Sequence, residues 1–171
     1  MTGMPRADEI IKLFNMTPLV PEGGYFAETY RAKEKLDENI LPNKYEGKRN
    51  LSTAILYLIT KDSFSKLHRL KSDEIFHFYL GDPVTMLLLH NNGKSELITL
   101  GHDISAGQKV QIVVPKNCWQ GCMLKDDGEF ALMGCTVSPG FESKDYEQGD
   151  REALMKKYPP QKDLITKLTN E

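Results

Sequence analysis

The sequence predicts an all-β fold, a closed barrel or a double-sheet jelly roll with a short helix region at each end. Eight short apolar stretches between residues 52 and 137 are separated by turn signals, at the spacing of roughly 8–12 residues expected of sandwiches and barrels. NNG (91–93) lies between two of these stretches, and Asn and Gly tolerate the positive φ of a tight hairpin. Helical periodicity is confined to ADEIIKLFN near the start and to REALMKKY and KDLITKL near the end.

The elements follow in order. Ile10, Ile11, Leu13 and Phe14 fall at helical spacing with Asp8 near the start, a short amphipathic helix. Gly23 and Gly24 permit a sharp entry into a strand over 25–31. Residues 32–50 are polar and predict a long excursion, the most mobile part of the domain. Strands are expected at 52–59, 64–69, 74–80, 84–90, 95–100, 109–114, 118–124 and 130–137, so the core spans about 24–137. The breaks include GDP, GHDISAG, PKN and KDDG, and a helical tail covers about 145–171.

Composition narrows the function classes. At 171 residues the chain predicts one domain with a real core. Twenty-two Lys and Arg against 24 Asp and Glu leave a net charge of −2, with no basic stripe for a nucleic acid. The apolar run AILYLI (54–59) is far short of a membrane span. The start MTGMPRADEI lacks the basic and apolar regions of a secretion signal. Cys118, Cys122 and Cys135 lack zinc-type pair spacing and read as reduced thiols. The expectation is a cytoplasmic protein with a small-molecule ligand, and neither nucleic acid nor membrane as partner.

The chemistry concentrates in KLHRLKSDEIFHFYLGD (66–82), which places His68, Glu74 and His77 close together in strand sequence. Strand alternation puts Glu74, Phe76, Phe78 and Leu80 on one face and Ile75, His77 and Tyr79 on the other. Cys118, Gln120 and Cys122 share a face opposite Trp119 and Met123. A divalent metal needs three or four convergent nitrogen or oxygen ligands. The sequence offers one histidine, one glutamate and one neutral amide. No metal is therefore expected, and His68, Glu74 and Gln120 are the ligands should a divalent ion bind at low occupancy.

His68, Leu70, Glu74 and Gly81 resemble the first motif of the cupin superfamily, and Gly107 with VVPKNCWQ resembles its second. Two positions that carry metal-binding histidines in that motif pair hold Leu70 and Gln120 instead. More closely, VPEGGYFAETYR, STAILYLI, FSKLHRLKSDEIFHFYLGDP, VVPKNCWQ and TVSPGFE, in that order, resemble the Cupin_5 family over about residues 8–147. That family is a domain of unknown function, and the resemblance implies a cupin jelly roll, one pocket per barrel and a homodimer. If the cupin register holds, His68, Glu74 and Gln120 point into the barrel.

Resemblance to metal-free sugar epimerases of the superfamily implies His68 as base, Glu74 as its orienting or proton-shuttling partner, and Gln120 as a contact to a hydroxyl or carbonyl. Glu74, amid apolar neighbours, would titrate as one unit with His68. The matching tyrosine acid stays open among Tyr25, Tyr57 and Tyr79. The alternatives are a non-catalytic binding module and a metal-dependent enzyme with an incomplete ligand set. Ser65 and Arg69 are expected at the pocket mouth as substrate contacts. Tyr25, with Glu28, is expected to reach a neighbouring subunit's pocket. His77 is a further candidate contact, or packs at a dimer interface. His90 and His102 read as exposed loop residues.

Overall fold

The fold is known from a computed structural model that describes residues 5–42, 45–126 and 128–169. Residues 43 and 44 of the polar excursion, Asp127 of the KDDG turn and the last two residues of the tail lie outside that range. Chain order runs α1 (Ala7–Leu13), β1 (Thr17–Pro18), β2 (Tyr25–Arg31), β3 (Lys35–Leu36), β4 (Arg49–Asn50) and β5 (Thr53–Thr60). Then come β6 (Ser65–Leu70), β7 (Asp73–Gly81), β8 (Val84–Leu89), β9 (Ser95–Leu100) and β10 (Gln111–Val114). The chain closes with β11 (Trp119–Leu124), β12 (Phe130–Ser138), β13 (Tyr146–Gln148), α2 (Arg151–Lys157) and α3 (Lys162–Lys167).

Two antiparallel sheets face each other, one ordered β1-β2-β5-β12-β7-β10 and the other β13-β6-β11-β8-β9. This is a jelly roll. Their inner faces supply one apolar core that includes Tyr57, Phe76, Phe78, Met86, Leu88 and Met133. On the outside of the first sheet, α1 covers Leu58, Phe130 and Leu132. On the outside of the second, Leu154, Tyr158, Ile165 and Leu168 of the tail pack on Leu67, Leu87, Leu89 and Trp119. The amphipathic ends read from the sequence therefore close the two outer faces. Among the described residues no helix is long and apolar enough to cross a membrane.

Strand positions follow the sequence pattern, and the NNG turn closes the β8–β9 hairpin with Gly93 at φ +85°. Departures come where one extra residue is inserted. Opposite adjacent Leu132 and Met133, β7 presents Leu80 and Phe78, which leaves Tyr79 as the extra residue of a bulge. Leu80, expected beside Phe78 on the inner face, therefore turns outward and packs with the α1 cluster. His102 sits exposed as expected, and its Nε2–H donates to the Tyr79 carbonyl at the bulge, 3.0 Å away.

The polar excursion is better anchored than its composition suggests. Leu41, Tyr45 and Arg49 are buried in it. Arg49 is fully buried and holds Asp145 through two 2.7 Å bonds, while its third nitrogen donates to the carbonyls of Glu46, Gly47 and Lys48. The Tyr45 ring lies 5.3 Å from the guanidinium. This pair fixes the chain just ahead of β13, a short strand the sequence pattern does not reveal.

Removing one member of such a pair leaves an uncompensated buried charge, at a cost of about 3–5 kcal/mol. Arg49→Met should lower the unfolding free energy in urea by that amount, and adding Asp145→Leu should recover part of it. A loss below ~1 kcal/mol for the single change would show that the pair is not a principal anchor.

Candidate functional site

The site begins at a second bulge. Gln120 of β11 pairs with His68, and Cys122 pairs with Ser65, so β6 carries one more residue than its partner. The insertion brings Ser65 and His68 onto the inner face together, although their spacing in an unbroken strand would put them on opposite faces. It also diverts backbone groups of Lys66 and Leu67 from the ladder: Lys66 N–H donates to the Glu22 carbonyl at 2.9 Å, and Leu67 N–H to the Leu168 carbonyl at 2.8 Å. The Lys66 carbonyl accepts from His68 Nδ1 at 2.7 Å. A carbonyl can only accept, so Nδ1 carries the proton and the neutral imidazole presents a bare Nε2.

His68 is 2% exposed and lines a cavity of about 240 Å³ between the sheets, with Glu22, Phe26, Glu74, Cys135 and Phe141 among its walls. That volume is below the ~300 Å³ floor usual for drug-sized ligands, so the occupant is small. Glu22 Oε2 stands 3.8 Å from His68 Nε2, and Glu22 Oε1 accepts from Ser65 Oγ at 2.9 Å. Glu22 sits in the turn before β2, where Gly23 N–H donates to the Leu19 carbonyl at 2.7 Å. A Cβ on Gly23 would collide with the Phe64 carbonyl, and at φ +109° a side chain would be strained as well. The two glycines therefore let the turn press Glu22 against β6.

Glu74 extends inward from β7, 7% exposed, and accepts from Gln120 Nε2 at 2.5 Å. Burial pushes its carboxyl up to about 7, the charge of Glu22 adds to this, and His68, Gln120 and the Cys135 thiol pull it back in part. Among the described contacts no hydrogen bond joins the expected Glu74–His68 pair. The hydrogen-bonded partner of Glu74 is Gln120, and the carboxylate beside His68 is Glu22.

Of the other predicted contacts, Ser65 joins the site through Glu22. Arg69 does not: one residue along from His68 it faces outward, pairs with Glu147 at 2.8 Å and lies 4.5 Å over the Trp119 ring. Tyr25 also faces outward, packed in the α1 cluster, while Phe26 takes the inward position on β2. Glu28 lines the cavity of its own chain and pairs with Arg31 at 2.8 Å. His77 lies on the outer face between Gln111 (3.1 Å) and Thr136 (3.3 Å), stacked on Tyr79. His90 is only partly exposed, with Glu96 2.7 Å from Nε2 and Cys118 Sγ 3.7 Å from Nδ1.

None of the three candidate tyrosines meets His68. Tyr57 is buried and donates to the Gly23 carbonyl at 2.9 Å, Tyr79 lies outside, and Tyr25 packs on α1. The ring that does meet it is Tyr146 of β13, stacked at 5.0 Å and 20°. Its hydroxyl is buried without a partner, and burial together with the Glu22 charge raises its pKa well above the ordinary phenol value. Sequence reasoning missed both Tyr146 and Glu22. Glu22 had a signal, an acidic residue between Pro21 and Gly23 inside a family block. Tyr146, in a strand of three residues, had none.

Among the described residues no three His, Cys, Asp or Glu side chains are arranged to hold a metal ion. Gln120 turns its N–H rather than its oxygen to Glu74.

A jelly roll whose cavity holds the first-motif histidine and glutamate is a cupin. The chain belongs to the Cupin_5 family (Cupin superfamily, DUF985), which it matches over residues 8–149. It is similar to Protein SO0799 from Shewanella oneidensis, 35% identical with a TM-score of 0.86 over 98% of this chain and 99% of that one. A hypothetical protein from Leishmania major is 29% identical, with a TM-score of 0.86 over 98% and 100% of the two chains. Uncharacterized protein YML079W of Saccharomyces cerevisiae is 31% identical over 134 residues, 73% of this chain and 66% of that protein, which is thus longer than the matched part. Oxalate decarboxylase OxdC of Bacillus subtilis, 13% identical with a TM-score of 0.52 over 92% of this chain and 39% of that one, shares the fold alone.

The Glu74 environment has a pH consequence. A carboxyl raised from 4.5 to about 7 holds its proton more tightly folded than unfolded. Its contribution to stability is therefore full below pH 4.5 and is lost as pH rises through about 7, on the order of 3 kcal/mol in all. The parent should lose that much relative to Glu74→Gln between pH 4.5 and 8 in urea unfolding. A difference that does not change with pH would mean that Glu74 is not held in a charge-averse cavity.

Proposed function

We propose that this cupin binds a small hydroxyl-rich metabolite between its sheets and moves a proton on it, as an isomerase or epimerase of a sugar-like substrate. The observation that carries this reading is the bare His68 Nε2 at the cavity wall, its tautomer set by the Lys66 carbonyl and a carboxylate 3.8 Å away. In this reading Nε2 takes a proton from the carbon beside a substrate carbonyl, and the C–H electrons become the enolate. The imidazolium so formed is balanced by Glu22. Glu74, raised towards neutrality, supplies a protonated carboxyl that hydrogen-bonds the enolate oxygen. Glu74 gives its proton to that oxygen and regains one from the neighbouring hydroxyl, and His68 returns its proton to the adjacent carbon, which yields the isomer with no net change in the protein. Tyr146 is a positioning residue that holds the imidazole plane by stacking.

Incubation with aldoses and ketoses in D₂O, followed by NMR, should show deuterium entering the carbon next to the carbonyl. His68→Gln should abolish this while lowering stability by only about 1 kcal/mol, the scale of one net hydrogen bond. Binding without exchange would favour the runner-up, a non-catalytic sensor or carrier. What supports that runner-up is that Glu74 is already engaged by Gln120 and by the Cys135 thiol. Elemental analysis of protein purified without chelators addresses the metal-dependent alternative, which needs close to one equivalent of a transition metal.

We also propose that a second copy covers the outer face of β7 and β10. Tyr79 and Val113 are 46% and 55% exposed there. Ile75, His77, Gln111 and Thr136 accompany them without a charged side chain, and the exposed carboxylate of β7, Asp73, stands only at the end of this face. Light scattering should give a dimer at micromolar concentration, and Tyr79→Lys with Val113→Lys should give a monomer. A monomeric parent would end this reading.

A further inference from the structure

The charges around the cavity restrict what can occupy it. Among the described residues that line it, Arg31 is the one arginine or lysine. Its guanidinium is already shared among Glu28, Asn50, Glu142 and the Phe141 carbonyl. Glu22, Glu28 and Glu74 stand against it. The deep groups accept rather than donate. His68 Nε2 is bare in the neutral ring, and Gln120 Oε1 is buried without a partner on a side chain 1% exposed. Gln120 faces inward opposite His68, and its Nε2 is committed to Glu74. Its oxygen lacks a donor behind Glu74, while the acceptors on the cavity wall itself are Glu22, Glu28, Glu74 and His68 Nε2.

We infer that the cavity selects a small organic cation: a protonated amine on a hydroxyl-bearing molecule, with the ammonium between Glu22 and Glu74 and a hydroxyl or N–H given to His68 Nε2. This rests on the hydroxyl-rich reading above and names the class of ligand within it. An ammonium brings three donors and no acceptor, the complement of this cluster. Two carboxylates in one desolvated cavity are costly until a cation or a proton arrives. A ligand bearing phosphate or carboxylate meets charge of its own sign and no open arginine fork.

The test is isothermal titration calorimetry at pH 7 with glucosamine, galactosamine and mannosamine, each against its neutral parent sugar, and with glucosamine 6-phosphate. At least one amine should bind tenfold or more tightly than its parent, and the 6-phosphate more weakly than glucosamine. Glu22→Gln should erase the preference for the amine while its unfolding transition stays that of a folded protein. Equal affinity for amine and parent, or tighter binding of the phosphate, would overturn the inference. So would no binding by all three amines, or manganese or zinc chloride alone binding at micromolar concentration and displacing the amine. If the neutral sugars bind in a His68-dependent way without preference for the amine, the ligand class fails and the hydroxyl-rich reading survives. If nothing binds, both fail.

Discussion

One inserted residue in β6 organises the site. Without it, Ser65 and His68 would lie on opposite faces of the sheet, and only one could reach the cavity. With it, both face inward, and the diverted backbone of Lys66 serves the site on both sides. Its carbonyl fixes the imidazole tautomer and its N–H holds the turn that carries Glu22. A regular ladder would have consumed both groups. The bulge is thus the point where an ordinary antiparallel sheet becomes a binding surface.

The second support is remote. Arg49 and Asp145 are far apart in sequence, and their fully buried pair delivers β13 to the open edge of β6. The strand is too short to persist by its own ladder, and its place against His68 depends on what precedes it. Tyr146 follows Asp145 directly, so the ion pair and the ring stacked on the imidazole form one mechanical unit. The polar excursion contributes Arg49 and Tyr45 to that unit, which explains buried residues in a segment whose composition suggests only loop.

Much of the fold was legible in the sequence, because alternation and turn chemistry are local. The strands, the NNG hairpin and the inward set of Glu74, Phe76 and Phe78 follow from residues a few positions apart. The bulges were not legible, since an inserted residue leaves the hydrophobic pattern almost unchanged while reversing everything beyond it. Leu80 shows this on β7, where simple parity predicts the wrong face. His68 and Glu74 were placed in the cavity by motif resemblance, yet their actual partners, Glu22 and Gln120, are set by tertiary packing. Arg69 was misplaced because the spacing of charged residues does not reveal which side of a strand a neighbouring ring and carboxylate will claim.

Glu22 has a wider consequence, because it belongs to a connecting turn and not to either sheet. The barrel supplies His68, Glu74 and Gln120 from strands whose side chains also build the core, so changes there risk the whole domain. The turn from Leu19 to Gly24 touches the barrel through a few backbone bonds, the Ser65 and Tyr57 hydroxyls and the Leu19 side chain. Its Glu22 lies outside both sheets, so exchanging that side chain leaves the strand pairing itself in place. Divergence of chemistry among proteins of this shape can then proceed by rewriting one short turn over a constant barrel, altering the sign of charge beside the imidazole while inheritance of the fold continues undisturbed.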